Sequence, residues 1–135
     1  AMTVDSTNIE RWDLEHYLGS QPYEDEVLLA FHEEVARRLR AEPEAVLASA
    51  RKLLERWAGL DDSTHAEHAY WRRWKDLLDL DDQERIARAI VEVSDEGRYI
   101  RQCSPFARSL GDEQRRAIRR DCEQRVRRRF GSTGR

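Results

Sequence analysis

Apolar residues in this chain recur at steps of three and four, and nowhere does a sustained apolar/polar alternation of the strand kind appear. That periodicity, interrupted at regular intervals by helix caps, prolines and glycines, restricts the chain to an all-α fold, a compact bundle of five to six helices. Thr7-Asn8-Ile9-Glu10 has the spacing of a capping box, and Ile9, Trp12 and His16 then share a face that Gly19 closes. Residues 1–20 are thus expected to form an acidic N-terminal helix. After Ser20-Gln21-Pro22, a second helix runs to about Arg40 on a stripe of Val27 or Leu28, Phe31, Val35 and Leu39.

Pro43 disfavours helix at Glu42 and suits the first turn of a third helix, 43–57, with Val46, Leu47, Ala50, Leu53, Leu54 and Trp57 turned inward. A second capping box, Thr64 with Glu67, opens a helix bearing Tyr70, Trp71, Trp74, Leu77 and Leu78. A fifth starts at Asp81 or Asp82 and carries Ile86, Ile90 and Val93. Ser94-Asp95-Glu96-Gly97 reads as a break, and Ser104-Pro105-Phe106 as an N-cap with proline in the first turn. The last helix begins near Asp112 on a strip of Ile118, Cys122, Val126 and Phe130, and 131–135 reads as a frayed tail.

At 135 residues the chain accommodates one domain, 1–135, and no second core. It is 38% charged, well above the roughly 25% of an ordinary domain, but four Trp, four Tyr and three Phe argue for a packed interior over disorder. No apolar run approaches the ~20 residues of a membrane span, and the first ten residues lack the layout of a secretory signal. The expectation is a cytoplasmic protein with no membrane partner, and Cys103 and Cys122 as reduced thiols.

Charge is distributed unevenly. Residues 1–96 hold 23 acidic against 12 basic residues, net −11, and residues 97–135 hold 4 against 12, net +8. Of 24 basic residues 22 are arginine, which stays charged and makes bidentate contacts to carboxylates and phosphates. In the last helix Arg116, Arg120 and Arg127 cluster opposite the apolar strip, while Arg115, Arg119 and Arg129 flank it. Two readings follow. Arg116, Arg119, Arg120 and Arg127 form a phosphate-binding face for nucleic acid, or the arginines cover the acidic N-terminal helices of the same chain. No aromatic residue interleaves with them as a single-strand stacking platform requires.

Candidate chemistry is sparse. His65 and His68 share a helix face near Asp61, Asp62 and Glu67, and Asp13-x-x-His16 and Asp62-x-x-His65 have the carboxylate-x-x-His spacing of di-metal bundles. A metal-dependent bundle enzyme is therefore a second alternative, set against exposed first-turn histidines. Cys103 stands before a helix start near Arg98, Arg101 and Arg108, which would lower a thiol pKa, but no histidine follows His68 and no catalytic signature surrounds it. The sequence holds no glycine-rich phosphate loop and no paired-cysteine zinc spacing. The reading is of a chain without a cofactor that is not an enzyme.

Trp71 and Trp74, with Tyr70, span more of a helix circumference than one core contact needs, so they are either core anchors or include an exposed hot spot for a partner. Trp57, then Tyr70-Trp71-x-x-Trp74-x-x-Leu77-Leu78, Arg98-x-x-Arg101-Gln102-Cys103-Ser104-Pro105-Phe106, and Leu110 with Arg115 are a distinctive spelling. Over residues 44–120 the chain resembles short bacterial all-helical proteins with a Trp-x-x-Leu-Leu helix and a late Arg-Gln-x-Ser-Pro-Phe segment. The resemblance implies an antitoxin or accessory role in two-gene toxin–antitoxin modules and implies no catalytic residue. The expected function is a protein-interaction or regulatory module that binds a basic protein through its acidic helices, with Glu24, Asp25, Glu26, Trp71, Trp74, Arg101 and Phe106 as contact residues. A nucleic-acid-binding regulator is the alternative, and the sequence leaves a homo-oligomer open.

Overall fold

The computed structural model describes residues 13–58 and 65–133, with the side chains of 65–69 and 132–133 left aside. The capping boxes at Thr7–Glu10 and Thr64–Glu67, the stripe members Ile9 and Trp12, the stop at Gly59 and the side chains of His65 and His68 lie outside the described residues. Among the described residues there are seven helices and no strand, as the periodicity requires. They are α1 (Leu14–Leu18), α2 (Gln21–Ala41), α3 (Pro43–Ala58), α4 (His65–Leu78), α5 (Gln83–Ile90), α6 (Asp95–Arg101) and α7 (Asp112–Thr133).

Local chemistry sets the boundaries. The Asp13 carboxylate accepts the amide of His16 at 2.8 Å and starts α1 there, so the described part of the expected N-terminal helix is a single short turn. Ser20 caps α2 through its hydroxyl, with Pro22 in the first turn, and α2 stops at Glu42 because Pro43 follows. Asp82 caps α5 by accepting from Glu84 and Arg85.

Three expectations change. Ser94 is the cap of α6, accepting from the Gly97 amide at 3.0 Å, so the supposed break opens a helix in which Gly97 is buried. Glycine is required there because a Cβ would land on the carbonyl oxygen of Glu92. Val93 is 81% exposed because α5 ends at Ile90 before the stripe reaches it. The tail expected from residue 131 is helical to Thr133; Phe130 packs on Tyr17 with ring centres 5.6 Å apart, which anchors the last turn against the cost of about 1 kcal/mol for a helical glycine.

α2, about 30 Å long, is the axis of the molecule and packs against α1, α3, α5, α6 and α7. Its Phe31, Val35, Ala36 and Leu39 meet Val46, Ala50 and Leu54 of α3, Trp74 and Leu78 of α4, and Ile86, Ala87 and Ile90 of α5. Phe106 and Leu110 close this main core from the segment between α6 and α7. Trp74 and Phe106 are fully buried and meet edge to face at 5.7 Å, and the Trp74 indole donates to the Ile100 carbonyl at 2.9 Å. A second, smaller cluster joins Tyr17, Tyr23, Cys122 and Val126, so the strip read on the last helix is its inner face.

The acidic and basic segments meet within one molecule. Arg119 makes a two-pronged contact with Glu24 at 3.0 and 2.9 Å, and Arg129 donates to Glu26 at 2.7 Å. Each joins α7 to α2 beside the small cluster. Among the described residues no helix is long and apolar enough to cross a membrane.

Candidate docking groove

Four helices border a groove: α2 and α7, which meet at the small cluster, and α3 and α4. Its volume is about 1180 Å³. Val27, Leu28 and Phe31 line it from α2, Trp57 from α3, Trp71 from α4 and Ile118 from α7. All but Phe31 are half-buried, so the apolar stripes of four helices leave a continuous face here that no other described element covers. The Trp71 indole donates to the Leu54 carbonyl at 2.8 Å, which fixes its ring as part of the wall.

The groove reaches residues 101–104 and holds a polar chain that the sequence did not disclose. His32 is fully buried; its Nδ1 lies 2.8 Å from the Leu28 carbonyl, and its Nε2 lies 2.7 Å from the Ser104 hydroxyl across 72 residues. A carbonyl only accepts, so Nδ1 carries the proton and Nε2 accepts from Ser104, whose oxygen in turn accepts the Phe106 amide at 3.1 Å. Each partner is satisfied. Burial, with the positive charge of Arg101 added, pushes the imidazole down to about 4, so it is neutral near pH 7. A neutral, fully bonded histidine with a depressed pKa is a weak base, and the chain pins α2 to the segment after α6.

Arginine dominates the charge of the walls. Among the described lining residues there are four arginines, 101, 115, 116 and 119, and one carboxylate, Glu24. Arg119 holds Glu24, whose carboxyl is kept below its usual range by that bond. Arg115 lies over the Phe31 ring at 5.2 Å and donates to the Ala107 carbonyl. Arg116 is exposed with no ion-pair partner among the described residues. Arg101 is 3% exposed and bonds to the carbonyls of Ile90 and Glu92 at 3.2 and 2.9 Å. Burial lowers its pKa, while Asp25, Glu33 and Glu92 compensate its charge from beyond ion-pair distance.

The residues read from sequence thus divide. Trp71, Arg101, Arg116, Arg119 and Glu24 come together on the groove. Trp74 and Phe106 lie inside the core and offer a partner no surface, since each supplies the bulk of its interior. Glu26 is held by Arg129, and Asp25 accepts from the Gln21 amide at 3.0 Å. Outside the groove lining, Arg120 is exposed without an ion-pair partner among the described residues, and Arg127 is paired with Glu123. Neither cysteine is in a disulfide; Cys103 is half-buried on the groove wall and Cys122 is buried. Among the described residues no group of three or more His, Cys, Asp or Glu stands ready to hold a metal ion. His32 and Ser104 were missed because their pairing is spatial; the available signal was a histidine beside the apolar stripe, next to Phe31. Compared with known proteins, the chain matches no family model, no curated protein and no solved structure.

Proposed function

We propose that this protein is a non-enzymatic interaction module that receives a helical segment of a protein partner in the groove between α2 and α7. The groove's size and lining carry this reading. Its volume of about 1180 Å³ exceeds the roughly 300–1,000 Å³ of ordinary small-ligand sites. Half-buried Leu28, Val27, Trp57 and Trp71 suit the anchors of an amphipathic helix docked by its apolar face. A regulatory role of the antitoxin type, which acts by occupying a partner, agrees with this mode of binding.

Two features tell against docking through the acidic helices themselves. Glu24 and Glu26 are already engaged by α7, and among the described residues the lining beside Glu24 carries four arginines, whose surplus charge repels a basic partner. The nucleic-acid alternative is weakened as well, because Asp112 and Glu113 precede the arginines of α7 and Asp121 and Glu123 interrupt them. The test is co-expression with the product of the neighbouring gene, followed by co-purification with the native chain and with Leu28→Asp. Loss of the complex with an unchanged thermal melt supports the groove, and a complex indifferent to Leu28→Asp refutes it.

A further inference from the structure

Resting on the reading of the groove as a helix-docking site, we infer that the docked segment is acidic along the edge facing α7, and that Glu24 is its internal competitor for Arg119. The lining is apolar at the centre and cationic towards α7, where Arg115 and Arg116 are adjacent and each stands about one helical turn before Arg119. Apolar walls focus the field of such charges and make the sign of an incoming group decisive for association. Among the described residues Arg116 has no carboxylate partner, and Arg115 is satisfied by a backbone carbonyl and an aromatic face, neither of which cancels its charge.

Arg119 already shows the geometry that a partner carboxylate would adopt. It grips Glu24 through both terminal nitrogens at 3.0 and 2.9 Å, and both residues line the groove. A bidentate arginine–carboxylate pair is directional, so an entering Glu must take the same prongs. The pair is about half exposed on each side, which makes its exchange inexpensive. Glu24 therefore occupies the position of the partner's acid in the free protein and yields it on binding. A basic helix meets the opposite balance: three arginines repel it and one paired glutamate attracts it.

The probes are two synthetic amphipathic helices of about 14 residues, identical in their leucine face, one flanked by glutamates and its twin by lysines. Binding is read by fluorescence anisotropy against the full chain. The glutamate peptide is expected to bind about tenfold tighter than its twin at low salt, with the preference shrinking as salt is raised. Arg116→Glu removes most of the preference. Glu24→Gln tightens the glutamate peptide about two- to fivefold and does not tighten the lysine peptide. Equal binding of both peptides, tighter binding of the lysine peptide, or no gain from Glu24→Gln overturns the inference while leaving the groove in place. If neither peptide binds, or if Leu28→Asp changes neither affinity, the groove reading falls as well. Both charge substitutions are at exposed positions, and circular dichroism verifies that the fold is retained.

Discussion

Replacing His32 by glutamine should flatten the stability of the protein between about pH 7 and 5, and the size of the effect follows from the burial of the ring. The imidazole would titrate near 6.5 in an unfolded chain and is pushed down to about 4 in the fold, first by burial and then by Arg101. Between those values the unfolded chain binds the proton and the fold resists it, so the contribution is complete above about 6.5 and is lost as pH falls towards 4. Linkage gives a loss of about 2 kcal/mol at pH 5 and about 3 kcal/mol by pH 4. The depressed carboxylates act at lower pH: Glu84, held at about 2 by Arg40 and Arg88, and Glu24 and Glu34, held down by arginines, lose their contribution as pH falls through and below the ordinary carboxylate range. Urea unfolding followed by circular dichroism near pH 7, 6 and 5 on the native chain and on His32→Gln isolates the effect, since every other titrating group is common to both. The expected result is a native chain that loses about 2 kcal/mol across the range against a nearly level variant, with unchanged urea dependence. Equal slopes would refute the buried neutral imidazole.

Other outcomes follow from single contacts. Trp74→Ala empties the centre of the main core and removes the indole bond to the Ile100 carbonyl, which keeps the Cys103 amide, so a loss of about 3–5 kcal/mol is expected in chemical unfolding. Gly97→Ala drives a methyl group into the Glu92 carbonyl, and because backbone must shift to relieve it, a cost of about 1–3 kcal/mol is expected, read as a lower thermal midpoint. A double-mutant cycle on Glu24 and Arg119 should give about 0.2–1 kcal/mol, falling as salt is raised, because the pair is half exposed. A coupling that does not respond to salt would contradict its place at the groove edge.

The helices were legible because their signals are local. Pro43 and Asp82 act within a turn and set the boundaries they announced, while Ser20 and Pro22, read as the turn before the second helix, are its cap and first turn. Gly97 shows where locality ends: a glycine after Ser-Asp-Glu spells a stop, but its reason for being there is the carbonyl of Glu92, which only the path of the chain brings close. Trp71 and Trp74 illustrate the same limit on one helix. Three positions apart, they differ by about 60° in direction, which is enough to put one at the centre of the core and the other on the groove wall. The His32–Ser104 bond spans 72 residues and has no trace in either neighbourhood.

Charge was legible as a sum and illegible as a set of pairs, and the difference decides the sign of the partner. Net −11 facing net +8 suggests two opposed docking faces, an acidic one at the start and a basic one at the end. The fold spends the acidic face first. Glu24 and Glu26, the residues best placed to receive a basic partner, are turned onto Arg119 and Arg129 by the crossing of α7 over α2. That crossing occurs at the small cluster, where Tyr17, Tyr23, Cys122 and Val126 set its position. Nearer the start of α7, Arg115 comes to rest over Phe31, and Arg116 lines the same groove as Leu28 and the two half-buried tryptophans. The surplus positive charge therefore lies beside the exposed apolar surface, and the two together favour an occupant that is apolar on one face and acidic on its edge.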